Sequence, residues 1–379
     1  MILNLLPLKT GGGVQVAKDF LNQLNSYDGD DTWLVVAREN GPFAQIQENE
    51  RVKLIKLVPD NIFSRIWFEY VGCKKVVKEY EPDVIYTQFG PHWPGAKCKQ
   101  IAGCAYSNLF YPELDFWVGL SRFKKWVKLF IDRMRLRRVL SVDYKIFETE
   151  DLAKRAVQQH GLDPESVTYV RPAVSSNVTE SSVHMPTRIQ FEPVLNDGFK
   201  ILLLSGYHPN KNIEFLVEVA AKLKSLTEKK YVFVLTLPPE NSGTKNVIKL
   251  ARDLGVSDRI LNIGPVPQEG CSEIYRLCDA AVLPSNLESF SNMIAESWAM
   301  KKPLFISDLS WARSLCGDAA IYFEHKNSDD LAAKIVSISN DKKIVSKVIL
   351  NGSAALASYP SSQQRFEGYL KIIHMVGRR

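Results

Sequence analysis

The chain has 379 residues, 45% of them hydrophobic and 24% charged, with a net charge of +6. That is the profile of a globular protein with enough length for two domains and well-buried cores. No apolar run approaches the roughly 18 residues of a spanning helix, and six scattered cysteines (Cys73, Cys98, Cys104, Cys271, Cys278, Cys316) without a C-x-x-C pair argue against a disulfide framework and a zinc site and fit a reducing cytoplasm.

The opening "MILNLLPLKTGGG" lacks a basic leader and a small-residue cleavage site, so it reads as a first strand rather than a signal peptide. In that setting the sequons at Asn177 and Asn351 carry no expectation of glycosylation. Further runs, "TWLVVAR", "VKLIKLV", "DVIYTQF", "IAGCAYS", "YKIFET" and "VTYVRPAV", read as strands, and "VQVAKDFLNQL" and "DLAKRAVQQHG" as helices. Residues 175 to 198 are polar, lack a period and end in Asn-Asp-Gly, the mark of a linker.

From residue 199 the rhythm is plainer. The strands "FKILLLSG", "YVFVLTL", "RILNIGPV", "AAVLP", "PLFIS" and "AIYFE" alternate with the helices "NIEFLVEVAAKLKSL", "NVIKLARDLG", "CSEIYRLC" and "SNMIAESWAMK". Continuous apolar strands alternating with amphipathic helices predict a parallel sheet covered on both faces. The expected class is α/β, with two doubly wound Rossmann-like domains whose carboxyl edges face one cleft. The expected boundaries are 1–175, a linker at 176–198 and 199–360, with a terminal helix of about 361–379 packing back on the first domain.

"SRFKKWVKLFIDRMRLRRVL", residues 121–140, carries eight basic residues and one acid, Asp132. Phe123, Trp126, Val127, Phe130, Ile131 and Met134 recur at three- and four-residue spacing, which predicts a basic amphipathic helix with an aromatic edge. Such a helix suits an anionic membrane surface; the plainer alternative is a solvated charged face packed on its own domain. No recognition module accompanies it, so nucleic acid is not expected as a partner.

"LESFSNMIAES", residues 287–297, places Glu288 and Glu296 either side of seven residues, just after "AAVLP". Ser289 to Asn292 fall at the start of the following helix, where free N–H groups and the helix dipole favour phosphate. A helical span of eight residues rises roughly 12 Å, about the reach from a ribose to a sugar across a diphosphate. Carboxylates at both ends suit sugar and ribose hydroxyls. The structural alternative is a Ser285-x-x-Glu288 capping box with Glu296 solvated.

The stretch "AAVLPSNLESFSNMIAESWAMKKPLFISDLSWARSLCGDAAIYF", residues 280 to 323, resembles the donor-site signature of the retaining family 4 glycosyltransferases, which have the GT-B fold. "TGGGVQVAKDFLNQL" is similar to that family's first glycine loop and helix, and "EPDVIYTQF" and "VTYVRPAV" also have its look. The resemblance implies an acceptor-binding domain at 1–175 and a nucleotide-sugar-binding domain at 199–360. It implies contact of Glu288 with the transferred sugar, Glu296 on the ribose hydroxyls, and a diphosphate cradled by Ser289, Phe290, Ser291 and Asn292. Lys211, in "SGYHPNKNIEF", matches the family's phosphate-binding lysine, a point charge beside a phosphate; Glu288 and Lys211 are the catalytic candidates. Gly12, Gly13, Gly206 and His208 complete the expected phosphate side, and Gly264 and Val266 in "GPVP" fall where the nucleobase packs.

There are departures. Gly206, Tyr207 and His208 stand where the family usually offers an arginine. Ser291 stands where glycine is common. "YSNLF" replaces a histidine after an N-domain strand, which leaves His92 and Asn108 as acceptor-side candidates.

The implied reaction is metal-independent transfer of a hexose-type sugar with retention, to a saccharide acceptor that is lipid-linked if the basic helix meets a membrane. The departing phosphate takes the acceptor proton. The only expected co-substrate is a nucleotide-diphosphate sugar; no cofactor is expected, and the expected location is cytoplasmic, peripheral on the membrane's inner face. "DGDD" (Asp28 to Asp31) contains a D-x-D but reads as turn chemistry, so no metal is expected.

Three rivals remain. A nicotinamide-dependent oxidoreductase is disfavoured because Val16 replaces the third glycine and Glu39 lies 26 residues after Gly13, far for a ribose partner. The others are a GT-B relative performing epimerisation or phosphorolysis, and a non-catalytic nucleotide-sugar-binding scaffold.

Overall fold

A computed structural model describes residues 1–9, 11–173, 178 and 198–378. In chain order the elements are β1 (Ile2–Asn4), α1 (Gly12–Ser26), β2 (Trp33–Arg38), β3 (Val52–Val58), α2 (Ile62–Trp67), a π-helical turn (Phe68–Gly72), α3 (Cys73–Tyr80), β4 (Val84–Thr87), β5 (Lys99–Cys104), α4 (Arg122–Leu140), β6 (Tyr144–Phe147), α5 (Glu150–His160) and β7 (Val167–Tyr169). There follow β8 (Phe199–Leu203), α6 (Glu214–Leu226), β9 (Tyr231–Leu235), α7 (Ser242–Asp253), β10 (Ile260–Asn262), α8 (Cys271–Leu277), β11 (Ala280–Leu283), α9 (Asn292–Ala299), β12 (Leu304–Ser307), α10 (Ser310–Cys316), β13 (Ile321–Phe323), α11 (Ser328–Ile338), α12 (Lys342–Ala357) and α13 (Ser362–Arg378).

Two compact units result. The first comprises Met1–Pro112, Arg122–Ala173 and Pro360–Arg379; the second comprises Glu113–Ser121 and Val174–Tyr359. Apart from Val178 and Gly198, the expected linker at 176–198 lies outside the described residues.

The first unit holds a seven-stranded sheet in the order β3-β2-β1-β4-β5-β6-β7, parallel throughout. Adjacent residues of β1 serve opposite faces. Leu3 joins a core with Val35, Tyr86, Phe20 of α1 and Phe366, Tyr369 and Ile373 of α13. Ile2 joins another with Val36, Ile85, Phe68 and Trp93. This double burial is why these strands read as continuous apolar runs. Arg365 of α13 reaches Asp19 of α1 at 2.6 Å, and His374 reaches Asp31 at 2.6 Å, so polar contacts flank the apolar seam.

The second unit holds a six-stranded sheet in the order β10-β9-β8-β11-β12-β13, also parallel. Both sheets are doubly wound, and each reverses its winding once: between β1 and β4, and between β8 and β11. The connections onward from adjacent strands run to opposite faces of the sheet there, which opens a crevice at the carboxyl edge.

Several expected strands are shorter than the runs that announced them: β5 stops at Cys104, β7 at Tyr169 and β10 at Asn262, for example. Helices α2, α3, α11 and α12 were not legible in the apolar pattern. Gly352 lies inside α12, where glycine is unfavourable by roughly 1 kcal/mol. It is there because a Cβ would fall 2.5 Å from Cδ1 of Trp298, so α12 packs on α9 by its bare backbone.

The clasp by α13 predicts a stability effect. Phe366 is buried and meets Phe20 edge-on at 5.1 Å. Phe366→Ala is expected to cost roughly 3–5 kcal/mol, read as a lower urea midpoint for the first unit.

Candidate functional site

The second unit's crevice collects the sequence-predicted residues. β8 and β11 are neighbours, with Ile201 opposite Ala280 and Leu202 opposite Ala281. They point the same way, so the loops that follow them emerge side by side. The loop after β8 carries Gly206, His208 and Lys211; the loop after β11 carries Glu288 and leads into α9.

The two loops are stapled together. The Asn286 N–H donates to the Asn210 carbonyl at 2.8 Å. Asn210 Nδ2 donates to the Leu287 carbonyl at 2.6 Å. Lys211 Nζ lies 2.7 Å from Glu288 Oε1. His208 caps this turn, its Nδ1 accepting from the Asn210 N–H at 3.1 Å, and Asn212 closes it in the left-handed region at φ 53°. Trp311 Nε1 donates to the Asn286 carbonyl at 3.1 Å, which fixes the second loop from behind. The Ser285 hydroxyl and both polar atoms of the Asn286 side chain are buried without a hydrogen-bond partner within the protein.

Helix α9 begins at Asn292, and Ser291 makes no side-chain cap. Its first-turn amides are therefore not taken up by that side chain, the condition for anion binding. Ser289, Phe290 and Ser291 form the approach to this end. The Phe290 ring packs 5.9 Å from Tyr359. The capping-box alternative does not occur, because no helix starts at Ser285. The rise of a continuous helix does not apply either, since residues 288–291 are not helical.

Glu296 is buried on α9, 8% exposed, so the solvated-glutamate alternative is overturned. Tyr275 of α8 donates to its Oε2 at 3.2 Å. Burial pushes the carboxyl up to about 7, partly offset by that hydroxyl. Gly264 adopts φ 79°, open to glycine and strained for other residues, with nothing within 4 Å of a would-be Cβ. Val266 is half-buried in the same loop and touches Gly270.

The other candidates lie in the first unit. Gly11 caps α1 at φ 82°, and Gly12 and Gly13 already belong to the helix rather than to a loop. A Cβ on Gly13 would meet Leu8 at 3.0 Å and Phe89 at 3.3 Å. His92 Nδ1 donates to the Arg138 carbonyl at 2.8 Å, which leaves Nε2 the acceptor; burial pulls its pKa down. Asn108 donates to Asp132 at 2.8 Å. Both acceptor-side candidates are thus tied to α4.

Among the described residues no group of three metal-ligating side chains occurs. In "DGDD", Asp28 lies 3.4 Å from Arg51 and Asp31 pairs with His374. Sequence reasoning missed Asn210 and Tyr275. Tyr275 had a faint signal, four residues after Cys271 on the buried face of α8. Asn210 had none, because its partner is a carbonyl 77 residues away.

Comparison with known proteins bears on the fold rather than on single residues of the site. Residues 187–354, less than half of the chain, match the family "Glycosyl transferases group 1". A D-inositol 3-phosphate glycosyltransferase of Geodermatophilus obscurus is 27% identical over 219 residues, 55% of this chain and 48% of that protein. One of Thermomonospora curvata is 26% identical over 217 residues, 53% of this chain and 50% of that protein. The matched region thus spans about half the length of these relatives. Among solved structures, Anabaena HepE in complex with UDP and glucose aligns over 99% of both chains with a TM-score of 0.71 at 15% identity. WaaG, a glycosyltransferase involved in lipopolysaccharide biosynthesis, aligns over 98% of this chain and 99% of its own, with a TM-score of 0.72 at 14% identity. At such identities the likeness is one of fold, the GT-B class.

The raised carboxyl has a consequence for stability. Between its ordinary 4.5 and about 7, the folded state keeps a proton that the unfolded chain has released. The stabilisation present at low pH is therefore lost as pH rises through this window. Glu296→Gln should be more stable than the parent at pH 8, by up to about 3 kcal/mol, and the gap should close towards pH 4.5. Urea unfolding at a series of pH values reads this directly.

Proposed function

We propose that the chain is a retaining glycosyltransferase. It moves a hexose-type sugar from a nucleotide-diphosphate sugar to a saccharide acceptor, without a metal. The observation that carries this reading is the Lys211–Glu288 pair at 2.7 Å, stapled beside the uncapped start of α9 with Glu296 buried behind it. A lone ion pair of this kind is ordinary. One at the crevice of a parallel sheet, in a segment that matches the group 1 glycosyltransferases, has a donor site's chemistry.

In this reading the diphosphate takes Lys211 from Glu288 and lies on the amides of Phe290, Ser291 and Asn292. Freed, Glu288 accepts from the sugar's hydroxyls, and Glu296 accepts from the ribose. Gly264 and Val266 flank the base. As the bond from the anomeric carbon to the diphosphate oxygen breaks, negative charge grows where Lys211 and the helix start already point. Such preorganised donors stabilise the charge without rearrangement. The acceptor oxygen bonds the anomeric carbon from the face the phosphate leaves, and its proton passes to the departing phosphate. No side chain is needed as nucleophile.

The acceptor in this reading is lipid-linked, on a growing surface polysaccharide or glycolipid, and the protein works at the cytoplasmic membrane face. What supports it is α4, whose basic and aromatic residues face outward, and the fold shared with a neighbour involved in lipopolysaccharide biosynthesis. No described helix is long and apolar enough to cross a membrane, so contact with lipid would be peripheral.

Calorimetry with UDP and a panel of other nucleoside diphosphates, without metal, tests the donor site. One nucleotide should bind, and Lys211→Ala should weaken it about 10- to 100-fold, the worth of one charge-assisted hydrogen bond. Glu296→Gln should also weaken it while leaving the fold intact. Glu288→Gln should spare nucleotide affinity and abolish transfer, with retained anomeric configuration read by NMR of the parent's product. Binding without transfer to any acceptor would select the non-catalytic scaffold instead.

A further inference from the structure

Apart from Tyr80 and Tyr169, the large exposed apolar residues of the first unit fall into two stripes. Ile62, Phe63, Ile66, Trp67, Tyr70 and Val71 are all exposed, Phe63 by 81% and Trp67 by 61%. Pairs recurring every four residues form one line along α2 and the π-helical turn. The opposite side is buried through Phe68 and Glu69. A helix of a globular domain normally turns its apolar stripe inward; here the stripe faces out. The π turn adds a residue and shifts the phase of the helix, so that Cys73 and Val76 of α3 are buried while the stripe on α2 is not. Gly72 is tight there, since a Cβ would fall 2.9 Å from both Phe68 and Trp67.

Helix α4 carries the second stripe: Phe123, Trp126, Leu129, Phe130, Ile131 and Met134 are exposed. The ring of Trp126 stacks between Phe123 and Phe130, with centroids 6.5 and 6.2 Å apart. Of this helix's 19 residues, Asp132 and Val139 are the buried ones. Asp132 is its sole acid, and it is spent inward on Asn108 and Arg135. The charge α4 presents outward is therefore all basic, with Arg122, Lys124, Arg133 and Arg137 exposed.

Buried Glu69 joins the two helices. It pairs with Arg65 at 2.7 Å and with Arg138 of α4 at 2.8 Å, and the Arg138 guanidinium lies 5.9 Å from the centre of the Tyr70 ring. We propose that α2 and α4 together form a platform that docks on an anionic lipid bilayer. This deepens the peripheral-membrane reading above and rests on it for its purpose, delivery of a lipid-linked acceptor.

Charge selects the occupant. Apolar stripes of this extent mark an interaction surface. A symmetric contact with a second copy would set the exposed cations of α4 against themselves, which is repulsive. Anionic headgroups instead meet the cations while the aromatic rings enter the interface.

The test is co-sedimentation of the full chain with phosphatidylglycerol vesicles, against phosphatidylcholine vesicles as control. Binding is expected to the anionic vesicles and to fall steeply between about 0.1 and 0.5 M salt. Phe63→Ser with Trp67→Ser, Phe123→Ser with Trp126→Ser, and Arg133→Glu with Arg137→Glu should each weaken it about tenfold or more. All six positions are exposed, so folding should hold, and UDP binding measured in solution should be unchanged. No partition of the parent into anionic vesicles would overturn the platform. So would partition indifferent to the α2 pair, or a dimer in the absence of lipid that the same substitutions dissolve. Because nucleotide binding is read separately, failure of the transferase reading leaves lipid binding intact, and the reverse.

Discussion

The site depends on one constraint, the parallel pairing of β8 with β11 across the point where the second sheet reverses its winding. Parallel neighbours end at the same edge, so the chain after Leu203 and the chain after Leu283 leave together although 80 residues separate them. Lys211 and Glu288 meet only because of this. Asn210, held by its side chain and carbonyl to the Leu287 and Asn286 backbone, turns a neighbourhood into a fixed distance.

Glu296 shows what such a site costs. A carboxyl at 8% exposure gains one hydroxyl partner from Tyr275 and loses most of its hydration, which is why its proton is held to about pH 7. A core would be steadier with a neutral group there. In the proposed donor-site reading, an acid in such a place exchanges stability for binding. A similar cost falls on Ser285 and Asn286, whose buried side-chain polar atoms lack hydrogen-bond partners within the protein.

In the first unit, α4 is the organising element. His92 and Asn108 follow different strands, yet both end on this helix, one at the Arg138 carbonyl and the other at Asp132. Glu69 brings in α2 through Arg138. A helix that buries so little of itself is held by polar contacts at its inner edge, and that leaves its apolar residues free to serve outward.

The sequence by itself determined the sheets and the place of the loop that enters α9. Strands buried on both faces must be apolar throughout, so inner strands such as β4, β6, β9, β11 and β12 could be read from their runs, as could the helix after "AAVLP" and the basic character of α4. The acids at 288 and 296 and the lysine at 211 were legible as residue types in motif context. Only tertiary structure decided the rest. The capping box at Ser285 failed because the chain stays irregular to Ser291, and Glu296 proved buried because α8 supplies a wall and a hydroxyl. The outward stripe of α2 escaped notice because that helix was not read from the sequence, and a period reports a face but not its direction. That direction was set by a single π turn and by Glu69, whose partner Arg138 lies 69 residues away in sequence. Local pattern fixes what an element is; the burial of distant partners fixes which way it faces.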